Sequence, residues 1–131
     1  MVDCRYEEMI LREGLNDEIM KLILGSFLIK KFDDVQLQHI SDGLVEGLDV
    51  ELYADPDYSA EQMYQIKRAL SEGYDVTTML NPEFDVAQMV QIRYGYADNV
   101  DTSLYANKFF DASLMKDIRL SLKENNKLEE N

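Results

Sequence analysis

The sequence offers few side chains that could act as a nucleophile, a general base or a metal ligand. It holds one histidine, His39, and one cysteine, Cys4. A general base must lie beside a reacting group, and no Ser, Cys or Asp constellation is placed to use His39. A lone cysteine permits no internal disulfide, and no Cys/His spacing is typical of zinc. We therefore predict that His39 is a surface residue, that no residue is catalytic and that the chain is not an enzyme.

Two carboxylates flank a proline at the corner Asp55-Pro56-Asp57, and grouped carboxylates can hold a divalent cation. No segment has the spacing of an EF-hand loop, and Asp beside proline is ordinary turn chemistry. The glycines form no phosphate-binding loop. We predict neither a metal site nor a cofactor.

The formal net charge of −13 is concentrated in residues 32–57, which hold eight acids and no Lys or Arg. Such a block repels nucleic acids and anionic membranes and attracts basic surfaces. A solvated face that only aids solubility is the competing interpretation. The predicted acidic contact face comprises Asp34, Asp42, Glu46, Glu51, Asp55 and Asp57.

The elements that position these residues follow from a repeat. Phe32, Tyr58, Phe84 and Phe110 stand 26 residues apart, and the segments that begin with them align without gaps. A fixed period of this length is typical of stacked supersecondary units, each too small to bury its apolar face without a neighbour. We count positions in the repeat from the aromatic residue, which is position zero.

Each repeat begins with the signals of a helix N-terminus. Position +1 is Asp or Ser, which can cap the first turn, and position +4 is Gln in three repeats, which can reach back to the N–H of the cap. Positions +5, +8 and +12 are apolar and fall on one face of a helix. This apolar seam comprises Leu37, Met63, Met89 and Met115 at +5, Ile40, Ile66, Ile92 and Ile118 at +8, and Leu44, Leu70, Tyr96 and Leu122 at +12.

The second half of each repeat carries small and turn-forming residues. Position +11 is Gly, Ala or Ser, and because glycine within a helix costs about 1 kcal/mol relative to alanine, we expect close packing there. Position +15 is Gly or Asn, which tolerate the left-handed conformation that follows a helix, so we expect all four helices, the last before Asn125, to end there. An Asp at +17 then predicts a short second helix or turn.

The predicted fold is all-α: a short right-handed, solenoid-like stack of about four 26-residue helix-turn-short-helix units plus an N-terminal helical cap. Residues 1–31 are a degenerate relative of the repeat and are predicted to form the capping hairpin. Residues 32–131 hold the four repeats and a polar tail from Lys123, which we expect to be disordered. The chain is predicted to form one compact domain.

One group of residues departs from the alternation of buried and polar positions. Positions +6 and +10 point away from the apolar seam, yet four of them carry apolar or aromatic side chains. Exposed apolar residues in successive repeats are typical of a surface that binds a partner, and tyrosine is a favoured anchor. Single exposed apolar residues are also normal. The predicted partner-binding strip comprises Tyr64, Val90, Tyr94 and Leu120.

The third repeat carries the pattern F-D-x-x-Q-M-x-x-I-R-x-G most fully. It is formed by Phe84, Asp85, Gln88, Met89, Ile92, Arg93 and Gly95. The pattern resembles a 26-residue repeat of uncharacterised bacterial proteins, often linked to mobile elements, and covers residues 32–126. The resemblance implies a repeat architecture and no activity.

These features predict a non-catalytic helical-repeat module that binds a protein partner with a basic surface, with a homodimer through the outer strip as an alternative partner. The second hypothesis is an acidic DNA mimic that inhibits a nucleic-acid-binding protein. Duplex DNA carries a charge about every 1.7 Å over its whole footprint, whereas the acids here crowd one repeat. The most apolar run, 19–29, contains Lys21 and is too short to span a bilayer, so we predict a cytoplasmic protein without membrane contact.

Overall fold

The computed structural model describes residues 32–130, with side chains to residue 128, and this part of the chain is helical without strands. The prediction of an all-α fold is confirmed for these residues. Four α-helices and three intervening 3₁₀ helices follow one another: α1 (Asp34–Val45), Val50–Leu52, α2 (Ala60–Ser71), Thr77–Met79, α3 (Val86–Ala97), Thr102–Leu104 and α4 (Ala112–Glu130). The predicted capping hairpin, residues 1–31, lies outside the described residues.

The chain divides within α2 into two compact units, Met1–Lys67 and Arg68–Asn131. The first unit contains α1 and the start of α2, and the second contains α3 and α4. Within each unit the same repeat-specific interactions recur, 52 residues apart. That the chain forms one compact domain stays a prediction.

The predicted helix caps are present. Asp33 and Asp85 each form a capping box with the glutamine three residues later, Gln36 and Gln88. Ser59 forms the same pair of bonds with Gln62. In the fourth repeat Asp111 accepts the N–H of Leu114 at 2.8 Å, and the leucine side chain offers no return bond. The repeat thus fixes where each helix begins.

The glutamine at +4 also bonds forward in the sequence. The Nε2 of Gln36 donates to the carbonyl oxygen of Tyr58 at 2.6 Å, and the Nε2 of Gln88 donates to that of Phe110 at 2.7 Å. Both glutamines are buried. Because the acceptor belongs to the aromatic residue that opens the next repeat, each of these amides ties one helix start to the next.

The small residue at +11 makes room for the side chain at +21. Tyr53 donates its hydroxyl to the carbonyl of His39, and Tyr105 donates to that of Gln91, both at 2.7 Å. A Cβ added at Gly43 or Gly95 would overlap the hydroxyl of the tyrosine. Position +11 is therefore glycine where position +21 is tyrosine.

The second repeat has a different pair at the same two positions. Ala69 occupies +11 and Met79 occupies +21, and both are fully buried. Methionine has no hydroxyl and a flexible chain, so we expect an alanine methyl group to fit beside it. The pairs glycine–tyrosine and alanine–methionine are alternative solutions to one packing problem.

The apolar seam is buried most completely at +5, where all four residues lie inside. The isoleucines at +8 are buried in the first three repeats, and Ile118 is half-buried. The opening aromatic residues Phe32, Tyr58 and Phe84 are buried, and Phe110 is half-buried. Phe110 and Ile118 belong to the fourth repeat.

The predicted helix ends at +15 are confirmed in three repeats, where Gly47, Gly73 and Asn99 have positive φ angles. The prediction is wrong for the fourth repeat, because α4 continues through Asn125 to Glu130. The expected disorder from Lys123 is wrong for the same reason. The segment lacks Gly and Pro, and Lys123 Nζ lies 3.2 Å from the carboxylate of Asp98, which anchors the additional turns.

Replacing Gln36 by Met is expected to cost about 1–3 kcal/mol in the free energy of unfolding, because the carbonyl of Tyr58 and the N–H of Asp33 both lose their partner. The matched control is Gln38→Met, at an exposed position, which is expected to change stability by less than about 0.5 kcal/mol. Urea unfolding followed by circular dichroism measures both. Equal effects would contradict the role assigned to Gln36.

Replacing Gly95 by Ala is expected to cost about 1–3 kcal/mol, because the new methyl group meets the hydroxyl of Tyr105. The double variant Gly95→Ala/Tyr105→Met recreates the pair found in the second repeat. Its loss of stability is expected to be smaller than the sum of the two single losses, which a double-mutant cycle measures. Strict additivity would show that the two positions are independent.

Candidate functional site

The residues of the predicted partner-binding strip lie on three helices. Tyr64 on α2, Tyr94 on α3 and Leu120 on α4 are exposed, with 39%, 42% and 40% of their surface accessible, and Val90 is half-buried. Tyr64 belongs to the first unit and the other three to the second. The second unit therefore presents an exposed patch on neighbouring helices, which we call the Tyr94 patch: Val90, Tyr94 and Leu120. That all four residues form one strip stays a prediction.

Two guanidinium groups flank Tyr94. The guanidinium carbon of Arg93 lies 5.1 Å from the centre of the tyrosine ring, and that of Arg119 lies 5.4 Å from it. Arginine over an aromatic face is attracted to the ring and restricts its rotamer. A tyrosine held in this way contributes a large contact area at little cost in side-chain entropy.

Arg119 is fixed from its other side. Its Nε donates to the side-chain oxygen of Gln91 at 3.3 Å, and its Nη1 donates to the carboxylate of Asp98, the C-cap of α3. Burial raises the pKa of Asp98, but the hydrogen bonds from Arg119 and Lys123 outweigh this effect, so the pKa of the carboxyl is lowered. The ion pair joins α4 to the C-terminal end of α3 and positions Arg119 beside the ring of Tyr94.

A related arrangement surrounds Tyr64 in the first unit. The rings of Tyr64 and His39 have centroids 5.9 Å apart, and the ammonium of Lys67 lies 5.7 Å from the tyrosine ring. Lys67 Nζ is 3.2 Å from Nδ1 of His39 and 3.5 Å from Asp42. An ammonium group has only donors, so Nδ1 of His39 accepts and the proton of the neutral imidazole is on Nε2.

His39 is half-buried rather than on the open surface as predicted. Burial lowers the pKa of His39 below its ordinary value of 6.5, and the positive charge of Lys67 lowers it further. Asp42, Glu61 and Asp33 act in the opposite direction and are outweighed. The imidazole is consequently neutral at pH 7 and serves as an acceptor for Lys67. Sequence reasoning missed this because Lys67 stands 28 residues away.

The residues of the predicted acidic contact face differ in what their carboxylates do. Asp42 accepts the side-chain amide of Gln38 at 2.8 Å and pairs with Lys67, which belongs to the following repeat. Asp55 accepts the N–H of Asp57 at 2.9 Å and so shapes the corner at Pro56. These two are half-buried, and the other four are exposed: Asp34, Glu46, Glu51 and Asp57.

The buried tyrosine hydroxyls serve the fold. Burial raises the pKa of Tyr53 and of Tyr105 far above the ordinary range, so both phenols stay protonated and donate to backbone carbonyls. The hydroxyl of Thr78 forms hydrogen bonds with the hydroxyls of Tyr96 and Thr102, both at 2.7 Å. Each of these hydroxyls is engaged with another group of the protein.

Phe109 and Leu104 are among the exposed apolar residues that were not predicted from the sequence pattern. Phe109 is 84% exposed with the ammonium of Lys108 5.2 Å from its ring, and Leu104 is 59% exposed. The signal was present in the sequence: the residue before the opening aromatic is acidic in the two preceding repeats, Asp57 and Glu83, and aromatic only here. Lys108 also pairs with Glu83.

Comparison with protein-family models, with curated proteins and with solved structures found no match. The resemblance to a bacterial repeat therefore stays a prediction. Among the described residues, no three His, Cys, Asp or Glu side chains are grouped as they would be around a metal ion. No helix in the described range has the length and apolar character needed to cross a membrane.

Replacing His39 by Gln, the residue at the same position in the second and third repeats, is expected to flatten the pH dependence of stability. The pKa of His39 in the folded state lies below 6.5, its ordinary value in the unfolded chain. Unfolding is therefore accompanied by protonation of His39 once the pH falls through 6.5. The free energy of unfolding of the unmodified protein should therefore fall between pH 7.5 and pH 5, and that of His39→Gln should fall less.

Denaturant titrations at several pH values measure this difference. Asp34→Asn, an exposed change on the same helix, is the control and should keep the slope of the unmodified protein. Parallel curves for the protein and His39→Gln would contradict the lowered pKa of His39.

Proposed function

We propose that the chain is a non-catalytic helical-repeat module that binds a protein partner. Its repeats form a right-handed, solenoid-like stack, and the partner contacts the outer side of the helices. The observation that carries the proposal is the Tyr94 patch, where the guanidinium groups of Arg93 and Arg119 lie 5.1 and 5.4 Å from the ring of an exposed tyrosine. Repeat scaffolds of this kind work through extended surfaces.

The different roles of the hydrogen-bonded interior side chains and the exposed apolar side chains support this function. Tyr53, Tyr105, Gln36 and Gln88 donate to backbone carbonyls inside the fold. His39 accepts from Lys67. These hydrogen-bonding side chains therefore hold the architecture together, whereas large apolar groups lie on the surface, where a partner can reach them.

The charge distribution supports a basic partner. Asp34, Glu46, Glu51 and Asp57 are exposed in the first repeat, and that repeat has no Lys or Arg of its own. Complementary charge accelerates association and discriminates against acidic partners. We propose that these four carboxylates steer the partner and that tyrosine and leucine supply the apolar contact.

Substitution of the Tyr94 patch tests the proposal. The immobilised chain is incubated with lysate of its native host, and Tyr94→Ala combined with Leu120→Ala is expected to weaken the retention of the bound protein by at least about tenfold in Kd. Leu104→Ala, an exposed apolar change elsewhere in the second unit, is the control and should leave retention unchanged. Retention that is indifferent to the patch, or no retained protein, would contradict the proposed function.

A further inference from the structure

The last helix exposes the positions that α3 buries. On α3, positions +4, +8 and +11 are Gln88, Ile92 and Gly95, and all three are buried. On α4 the same positions are Leu114, which is 42% exposed, Ile118, which is half-buried, and Ser121, which is exposed. The glutamine that would reach the next repeat is replaced by an apolar side chain.

This face continues along the additional turns of α4. Leu114, Ile118, Ser121, Asn125 and Leu128 follow one another at intervals of four, three, four and three residues. That spacing places them on one side of a helix and is typical of a seam that packs against a second helix. Leu128 is 73% exposed. We call these five residues the end face.

The polar groups beside the end face have a precedent within the second unit. On α3, positions +7 and +14 are Gln91 and Asp98, and both accept hydrogen bonds from Arg119, the base at +9 of the following repeat. On α4, positions +7 and +14 are Asp117 and Glu124, and both are exposed. In place of one amide and one carboxylate, the end face is flanked by two carboxylates.

The first unit repeats the arrangement. Lys67, the base at +9 of the second repeat, lies 3.2 Å from His39 at +7 and 3.5 Å from Asp42 in the preceding helix. A positive side chain that crosses to the preceding helix is thus present in both units. Carboxylates at these positions of α4 fit a neighbour with more than one positive charge.

We propose that the end face docks a basic amphipathic helix of another protein. The apolar stripe of that helix packs on Leu114, Ile118 and Leu128, and its Arg or Lys side chains pair with Asp117 and Glu124. The inference rests on the proposed interaction function and names the class of partner for one surface.

A second copy of this chain is a poorer occupant. In a two-fold antiparallel pair of α4 helices the same flanks meet, so Asp117 and Glu124 would face their own counterparts, and like charges in contact are unfavourable. The first described helix of a second copy, α1, has the buried Ser41 at +9 where a base is needed. Neither arrangement supplies the positive charge.

A designed peptide serves as the probe. It is an 18-residue fluorescein-labelled helix with a leucine stripe at the same alternating spacing and arginines along both flanks, and its binding to the full chain is followed by fluorescence anisotropy. We expect saturable binding that weakens at higher salt. Leu114→Asp, and separately Asp117→Lys combined with Glu124→Lys, should each raise the Kd at least tenfold.

Matched controls separate the end face from general charge and hydrophobicity. Leu104→Asp replaces a leucine that is more exposed than Leu114, and Asp49→Lys combined with Glu61→Lys makes the same change in net charge at exposed positions of the first unit. Both should leave the Kd within twofold. Circular dichroism confirms that each variant is folded.

Three results would overturn the inference: no saturable binding of the peptide, binding that is indifferent to Leu114→Asp, or a self-association in sedimentation that Leu114→Asp abolishes, which would assign the face to a second copy. If the end face fails while a partner is still retained through Tyr94 and Leu120, the proposed function stands and only this inference falls.

Discussion

Within each unit, the glutamine at position +4 sets the spacing between the starts of two successive helices. At Gln36 its oxygen accepts the N–H of the cap residue at 2.8 Å and its nitrogen donates to the carbonyl of Tyr58 at 2.6 Å, and Gln88 forms the same two bonds at 2.8 and 2.7 Å. A carboxylate could not donate and an ammonium could not accept. Since both ends of the amide are used inside the protein, the start of one helix is fixed relative to the start of the next.

The rest of each unit follows from that register. The aromatic residue whose carbonyl is bound lies largely inside, the apolar seam at +5 and +8 meets the core, and position +11 faces position +21, where either glycine with tyrosine or alanine with methionine fits. The outer positions are left to vary, and they hold the tyrosines and the carboxylates on which the proposed interactions rest. The fourth repeat lacks the glutamine, and there the end face is open.

The helices, their caps and the seam could be predicted because they depend on residues at most four apart, and the 26-residue period shows each signal several times. The continuation of α4 past Asn125 could not be predicted, because it depends on the ion pair between Lys123 and Asp98 and on the hydrogen bond from Asn126 to the carbonyl of Asn99. The setting of His39 depends in the same way on Lys67. Exposure at Tyr64, Tyr94 and Leu120 followed from the helical period, whereas their arginine and lysine neighbours come from tertiary packing.

The side-chain amides of the glutamines allow this register to be measured. In a labelled sample, solvent exchange of the Nε2 protons of Gln36 and Gln88 can be compared by NMR with that of exposed Gln38, together with couplings across the hydrogen bonds to the carbonyls of Tyr58 and Phe110. We expect slow exchange and measurable couplings for the two buried glutamines. Exchange as fast as that of Gln38, without couplings, would show that these amides do not hold the helix starts together.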